Sequence, residues 1–240
     1  ADAYVQINMQ HTHHVKEPFR EPFYNYIKQS SKPSIVFETA VLRENCAEHF
    51  KDKYYRFSWN SFLWDEGNFG PMGNGPDRWN KIQSEQQIEV KPWRTTKGEY
   101  VFHHTLSLIR AHTDLPIVVR PHPKHGMYTE FFDAYRVPEA MDMFPDVYWS
   151  SNQGSEKMQG GKYLRKDLDD AHAVVGWTSN ALTEAAIYGV PVYPMSGGAM
   201  VCPVCPHPFS QIDKVNEWPD RQQWLNDLGY CQWTYDEIKD

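Results

Sequence analysis

The chain has 240 residues, of which 40% are hydrophobic and 23% charged, and its formal net charge is −7. This length and composition suit one large or two small globular domains and argue against disorder. The acidic balance argues against an overall electrostatic attraction to nucleic acid but allows a local basic cleft. No apolar run approaches the roughly 18 residues of a membrane-spanning helix, so no membrane insertion is expected.

Two further signals bear on location. The first ten residues, ADAYVQINMQ, show no basic region followed by an apolar core, so no signal peptide is predicted. Four cysteines in the chain are too few and too scattered for a disulfide scaffold. A reduced, cytoplasmic setting is therefore expected.

The N-terminal part is predicted to contain a strand, a helix and a strand, followed by a long loop. Over residues 1–58 the first strand is the alternating run AYVQINM, the helix is EPFREPFYNYIKQS with a proline in its first turn, and the second strand is the apolar run SIVFETAVL. Residues 58–98 are rich in Gly, Asn, Pro and Trp, which is typical of a loop. Loops of this length within a compact domain are usually functional or mobile.

From residue 99 onward, apolar runs alternate with helical patterns. The predicted strands are LPIVVRPHP, DVYWSS, HAVVGW and VPVYPM, and the predicted helices are EYVFHHTLSLIRAH, GMYTEFFDAYR, GKYLRKDLDDA and SNALTEAAIYG. Such alternation predicts a parallel, doubly wound sheet. The segment 221–240 is predicted to form one or two helices with an apolar stripe at Trp224, Leu225, Leu228 and Trp233.

One strand of this predicted sheet ends in a basic cluster. The stretch VVRPHPKHG places Arg120, His122 and Lys124 just beyond an apolar run. Ligands of open parallel sheets bind beyond the carboxyl ends of the strands, so the cluster favours an anion site. A solvated basic turn is the alternative interpretation.

A second strand leads into a polar cluster at the start of a helix. In VVGWTSNALTEAAIYG, Thr178, Ser179 and Asn180 can cap a helix that Gly189 ends. The free amides and positive dipole at a helix start also bind phosphate, and Glu184 could accept hydrogen bonds from ribose hydroxyls. Both strand ends belong to one parallel sheet, so the two clusters can meet in one crevice and hold a phosphorylated sugar ligand.

These two motifs resemble a known family. A strand ending in RPHPK, followed about fifty residues later by S-N-x-x-x-E-A-x-x-x-G-V-P-V, is similar to the donor half of GT-B glycosyltransferases, in particular capsular Kdo-, sialyl- and glycerophosphate-transferase relatives. The tail DRQQWLNDLGYCQWTYDEI resembles putative phage glycosyltransferases. If a phage encodes the chain, the expected setting is the host cytoplasm. The resemblance covers about residues 99–240 and implies an α/β, GT-B-like fold with two Rossmann-like parallel-sheet halves, the N-terminal one small.

The resemblance also implies a role for each part of the chain. Residues 1–98 would form the acceptor half, 99–220 the donor half, and 221–240 a helix packing back across the halves. The leaving phosphate would be held by the basic cluster and the helix start, and the ribose by Glu184. The implied donor-binding residues are Arg120, His122, Lys124, Thr178, Ser179, Asn180, Glu184, Gly197 and Gly198.

The implied donor is a nucleotide sugar, for instance a UDP-sugar, with no other cofactor. No Asp-x-Asp pair of the metal-dependent type is present, so we expect a metal-independent reaction in which cations stabilise the leaving phosphate. The pair Cys202-x-x-Cys205 lacks the second pair of a zinc site, and the HTHH run that contains His13 and His14 lacks a third ligand, so no metal site is predicted.

The acceptor hydroxyl needs a general base, most simply a carboxylate of the N-terminal part. Asp77 is the preferred candidate, with Asp65, Glu66 and Glu38 beside it, and the HTHH histidines are weaker alternatives. An ion pair of Asp77 with its neighbour Arg78 is an equally good interpretation of that carboxylate.

The acceptor itself is open to several hypotheses. The phage-like tail favours 5-hydroxymethylcytosine, or a related hydroxymethylpyrimidine, in double-stranded DNA, handled by the rings and cations of residues 54–97. The proposed acceptor contacts are Trp59, Trp64, Arg78 and Trp79, and further basic or aromatic members are Tyr54, Tyr55, Arg56, Lys81, Trp93 and Arg94. An envelope or capsule glycan is the alternative acceptor. A sugar-nucleotide epimerase and a non-catalytic binding module are the alternative functions.

Overall fold

The computed structural model describes residues 4–7, 26–27, 29–30, 32–42, 54–96, 100–103, 109–120, 145–150, 162–214 and 217–239. The chain divides into two compact units. Unit 1 comprises 1–42, 46–85 and 221–240, and unit 2 comprises 43–45 and 86–220. The division after residue 85 differs from the boundary predicted at 98, and the C-terminal segment belongs to unit 1.

Nine strands and five α-helices lie within the described residues. The strands are β1 Tyr4–Ile7, β2 Ser34–Thr39, β3 Tyr54–Trp59, β4 Tyr100–His103, β5 Ile117–Val119, β6 Val147–Trp149, β7 Ala171–Gly176, β8 Val192–Pro194 and β9 Gln232–Thr234. The helices are α1 Asp77–Gln86, α2 Lys162–Asp169, α3 Asn180–Ile187, α4 Gln222–Tyr230 and α5 Tyr235–Lys239. None of the described helices combines the length and the apolar character that crossing a bilayer requires.

Unit 1 contains a mixed four-stranded sheet in the order β1-β2-β3-β9. Only β1 and β2 run parallel, whereas β3 is antiparallel to both of its neighbours. The register brings Val36 opposite Ser58 and Glu38 opposite Arg56 on one buried face. The predicted parallel Rossmann-like N-terminal half is therefore not seen in the described residues. The reason is that β3 runs antiparallel both to β2 and to β9, which comes from the far end of the chain.

Unit 2 contains a five-stranded, fully parallel sheet in the order β6-β5-β4-β7-β8. The chain moves outward from β4 through β5 to β6, then returns to the other side of β4 with β7, so the strand order reverses between β4 and β7. This strand order is the one expected of the doubly wound sheet predicted from the alternating elements. The predicted helix EYVFHHTLSLIRAH begins instead as strand β4.

The core of unit 2 explains why its strands are apolar throughout. All six residues of β7 and all three of β5 are buried, as expected for parallel strands covered on both faces. One cluster on the sheet joins these strands to neighbouring segments, and each fully buried aliphatic side chain contributes about 1.5–3 kcal/mol. Its members are Ile109, Ile117, Val119, Val147, Ala173, Val175, Tyr193 and Ile212.

The segment 58–98, predicted to be a long loop, contains regular structure. Helix α1 begins at Asp77 and buries Trp79 and Ile82, which are 1% and 0% exposed. The preceding turn is closed by the bridge between Trp59 and Asn68 and by Gly67, where a Cβ would lie 2.1 Å from a backbone oxygen. The Gly, Asn and Pro content therefore marks a tight turn before a helix.

Candidate functional site

Helix α3 follows β7, next to the point where the strand order reverses. Ser179 is its N-cap, and the Ser179 hydroxyl accepts a hydrogen bond from the Ala181 amide at 3.3 Å. The helix ends at Ile187 with Tyr188 as its C-cap, and the next residue is Gly189, whose φ is +79° and whose Cβ, if present, would lie 2.0 Å from the Pro92 carbonyl oxygen. The Val190 amide donates to the Ala185 carbonyl, which completes a Schellman motif. The predicted caps of this helix are confirmed.

The start of α3 presents polar groups at the carboxyl edge of the sheet. Thr178, Ser179, Asn180 and Glu184 are all partly exposed, while the opposite side of the helix is buried. Trp177, directly after β7, is 51% exposed, which is unusual for so large an apolar side chain. Sequence reasoning missed Trp177. The signal was its place directly after a buried strand.

Arg120 also lies at this edge, directly after β5, but it is not a solvated cation. Its guanidinium Nη1 donates to Asp167 Oδ2 at 2.5 Å, and the two side chains are 13% and 3% exposed. The Ser150 hydroxyl, just after β6, contacts both oxygens of the same carboxylate at 2.9 and 2.8 Å. Asp167 was not predicted from the sequence. His122 and Lys124 lie outside the described residues.

The Gly197-Gly198 pair lies in the segment that follows β8. Gly197 is exposed and Gly198 is buried, and the Gly198 amide donates to the Ser196 hydroxyl at 3.2 Å. The thiol of Cys202 donates to the Ser196 carbonyl at 3.3 Å. Cys202 and Cys205 are free thiols, and no group of three or more potential metal ligands occurs within the described part of the chain.

The carboxylates considered as bases have different surroundings in unit 1. The exposed Asp77 accepts hydrogen bonds from the Tyr230 hydroxyl at 2.9 and 3.0 Å, and this contact raises the pKa of Tyr230. Asp65 is exposed in the turn before α1. Glu38 is 8% exposed and lies opposite Arg56 in the sheet. A base must reach the acceptor, so the burial of Glu38 argues against it. The HTHH histidines lie outside the described residues.

Two of the four proposed acceptor contacts are buried. Trp79 is 1% exposed in the core of unit 1, and Arg78 is 8% exposed. Arg78 donates to both carboxylate oxygens of Glu237, and its guanidinium lies 3.6 Å from the centre of the Trp233 ring. Both side chains are occupied in packing, which argues against their contact with an acceptor. Trp59 is 41% exposed, and Trp64 is partly buried against Phe69.

Other members of the predicted basic and aromatic surface have internal partners too. Arg56 is 5% exposed, and Lys81 forms an ion pair with Glu237 at 2.5 Å. In unit 2, Arg94 donates to the carbonyls of Ala171, Leu168 and Asp169, at the end of α2. The Trp93 indole N–H donates to Pro219 O at 2.9 Å. Most of the cations and rings named here, within the described residues 54–96, therefore make contacts inside the protein.

Unit 2 also has a narrow cleft at the opposite, amino edge of its sheet. It lies beside the first residues of β7 and β8, and Arg94, Thr95, His172, Tyr193, Lys214 and Trp218 are among its lining residues. The His172 imidazole contacts the Ile212 carbonyl at 2.8 Å. None of the predicted donor-binding residues that the structure describes lines this cleft.

Comparison with solved structures identifies a related fold. KpsC of Thermosulfurimonas dismutans, a beta Kdo 2,4 transferase, is similar over 94% of this chain and 78% of its own, with 11% identity and a TM-score of 0.50. The beta Kdo 2,7 transferase of the same KpsC covers 81% of this chain and 68% of its own, with 15% identity and a TM-score of 0.48. At these identities the likeness concerns the fold alone. No protein-family model and no curated protein matches the chain.

Proposed function

We propose that the protein is a glycosyltransferase of the GT-B type that moves a sugar from a nucleotide-sugar donor to an acceptor hydroxyl. The observation that carries the proposal is the polar start of α3, from Thr178 to Asn180, at the strand-order reversal of a parallel sheet. Ligands of doubly wound sheets bind at this place. The fold shared with a Kdo transferase supports the same conclusion.

The donor would bind with its phosphate against the start of α3. The first amides of a helix lack intrahelical partners, and the positive end of the helix dipole favours an anion there. Arg120, at the end of β5, would add a positive charge. As the glycosidic bond breaks, the leaving phosphate gains negative charge, and donors already in place stabilise it without reorganisation. These groups would act without a metal ion.

The remaining donor contacts are assigned by chemistry. Glu184 lies one turn into α3 and would accept hydrogen bonds from ribose hydroxyls. The exposed ring of Trp177 suits stacking with the nucleobase, which contributes about 1–3 kcal/mol for a base on an aromatic side chain. His122 and Lys124 would complete the phosphate contacts, as the family resemblance implies.

The general base would be an exposed carboxylate, for which Asp77 and Asp65 are the candidates. Replacing the base with the amide should lower kcat strongly and leave donor affinity nearly unchanged, because a base acts in the transition state. Measuring kcat for Asp77→Asn and for Asp65→Asn distinguishes the two candidate bases. If neither changes kcat, the base lies elsewhere in the chain.

We propose a carbohydrate acceptor rather than DNA. A protein that holds duplex DNA neutralises several phosphates with Lys and Arg. Here Arg56, Arg78 and Arg94 contact internal carboxylates, carbonyls or buried surroundings, the exposed Lys81 is paired with Glu237, and the net charge is −7. A glycan acceptor needs no such cationic surface. The exposed Trp59 is available to pack against a sugar ring.

A transfer assay with labelled donors tests the proposal. A panel of nucleotide sugars, including activated Kdo and UDP-sugars, is incubated with capsule-type oligosaccharides or with duplex containing 5-hydroxymethylcytosine, with and without EDTA. We expect label on the oligosaccharide in both conditions. Label on the duplex would overturn the acceptor assignment, and conversion of donor without acceptor would indicate an epimerase. Donor binding without any reaction would indicate a binding module.

A further inference from the structure

Asp167 is a buried carboxylate that contacts two residues at the carboxyl edge of the unit 2 sheet. It lies in α2 with its side chain 3% exposed. Arg120 contacts it from the end of β5, and Ser150 from the end of β6. Three separate elements thus meet at one carboxylate. The Ser150 amide, which donates to the Val119 carbonyl at 2.9 Å, holds the two strand ends in register.

Stability alone is a weak reason for such a pair. Removing two charges from water is costly, and a buried ion pair often contributes no more than apolar residues of the same size. The exposures are also unequal, because Arg120 keeps 13% of its side chain at the surface. The Asp167 side chain is therefore the more buried partner and the Arg120 side chain the less buried one.

A guanidinium is suited to this arrangement. Its five N–H donors form a planar fork that can serve a carboxylate and an oxyanion together. A carboxylate behind the fork orients it and reduces the freedom that is lost when an anion binds. Without this partner, the arginine side chain would become ordered only when the ligand binds, and the entropy lost would lower the affinity.

We propose that Asp167 is a positioning residue, which with Ser150 holds the Arg120 guanidinium toward the phosphate of the nucleotide donor. The inference rests on the proposed function. Asp167 acts through Arg120 and does not itself contact the donor. Its effect on nucleotide binding therefore depends on the presence of Arg120.

A double-mutant cycle on nucleotide affinity tests this dependence. Calorimetric titration of a panel of nucleoside mono- and diphosphates is carried out on the wild type, Arg120→Ala, Asp167→Asn and the double variant. Charge-assisted hydrogen bonds predict a Kd increase of about tenfold for Arg120→Ala. Asp167→Asn should raise Kd by roughly fivefold, and the double variant should bind no worse than Arg120→Ala.

The controls separate positioning from a general loss of structure. Asp170→Asn changes an exposed acid three residues along and should leave Kd unchanged. Ser150→Ala is a milder change that keeps the ion pair, and it should raise Kd about twofold only when Arg120 is present. Thermal unfolding of each variant confirms that it is folded.

Several results would overturn the inference. Additive losses in the double variant would show that Asp167 acts without Arg120. An unchanged Kd in folded Asp167→Asn, or in Arg120→Ala, would show that the pair is structural. In both cases wild-type binding and transfer would leave the proposed function standing. A wild type that binds no nucleotide would overturn the proposed function as well.

Discussion

Arg78 in unit 1 and Arg120 in unit 2 are both paired with carboxylates, and the sequence suggests both as ligand contacts. Arg78 is 8% exposed and donates to Glu237 and to the carbonyls of Gly229 and Gln232, so its partners surround it. Arg120 is paired with a carboxylate more deeply buried than itself and lies at the end of a parallel strand. The first arginine holds the C-terminal segment against α1. The second lies where ligands of such sheets bind.

The difference shows that position in the fold, and not residue type, separates structural cations from candidate ligand contacts. The cations and rings of residues 54–94 are mostly internal, whereas the polar residues after β5 and β7 are at the carboxyl edge of the sheet. Variants in the two units should therefore fail in different ways. Those in unit 1 should lose stability, and those at the edge in unit 2 should lose ligand affinity.

The largest effect is expected from Arg78→Ala. The change removes a bidentate ion pair, two carbonyl contacts and the stack on Trp233, and it leaves Glu237 without its main partner. Breaking a buried pair in this way costs about 3–5 kcal/mol. Urea unfolding measures the loss. The matched control is Lys81→Ala, which removes an ion pair of Glu237 with a 46% exposed lysine and should cost at most about 1 kcal/mol. Equal losses would contradict the central role of Arg78.

A second large effect is expected in unit 2 from Gly189→Ala. The left-handed φ of +79° costs about 1–2 kcal/mol for a residue with a Cβ, and the clash with the Pro92 carbonyl adds about 1–3 kcal/mol. Gly70→Ala is the control, since its φ is +92° but nothing lies within 4 Å of its Cβ position. It should show the backbone cost alone. If both variants lose the same free energy of unfolding, the close packing at the end of α3 contributes nothing.

Ser179 allows capping and ligand binding to be separated. Ser179→Ala removes the N-cap and should cost about 1 kcal/mol, while Ser179→Asp keeps a capping oxygen and should change stability by only a few tenths of a kcal/mol. The added negative charge should nevertheless weaken nucleotide binding in the Asp variant by about tenfold, through repulsion of the phosphate. Calorimetry and thermal unfolding on both variants measure the two quantities. An unchanged nucleotide affinity in Ser179→Asp would show that the donor phosphate does not bind beside this residue.

A smaller effect concerns the acid stability of unit 1. Burial acts to raise the pKa of Glu237, but hydrogen bonds from Arg78, Lys81 and Thr234 outweigh it and hold that pKa well below its usual range. A carboxyl with a depressed folded pKa stabilises the fold above its unfolded pKa of about 4.3, and the contribution is lost as pH falls toward the folded value. The free energy of unfolding should therefore decline below about pH 4.3 more steeply in the wild type than in Glu237→Gln. Parallel pH profiles would show that Glu237 contributes no such stabilisation.

Local signals were sufficient for the β7–α3–β8 segment. A buried run, a capping serine and a glycine three residues before the next run identify both caps from the sequence. Pairings over long distances were not accessible. Glu237 lies 159 residues from Arg78, and Asp167 lies 47 from Arg120. No local rule indicates either partner.

The C-terminal segment illustrates the same limit. Trp233 fits a helical stripe with Trp224, yet it lies in β9, which pairs with β3. A three-residue strand has too weak a pattern to compete with the helix before it, and its partner strand is far away in the sequence. The Trp-rich stretch that leads into α1 also suggested more acceptor contacts than the structure supports, because composition does not distinguish a buried ring from an exposed one.

Locating the bound nucleotide is the most direct test of a donor site at the start of α3. Photo-cross-linking with an azido-nucleotide, followed by mass-spectrometric mapping, reports the residues that the base contacts. We expect labels within residues 177–184, at the carboxyl edge of the unit 2 sheet. Excess unlabelled nucleotide should suppress this labelling. Labels confined to residues 59–81 of unit 1, or to Thr95 and Trp218 in the amino-edge cleft, would contradict this expectation.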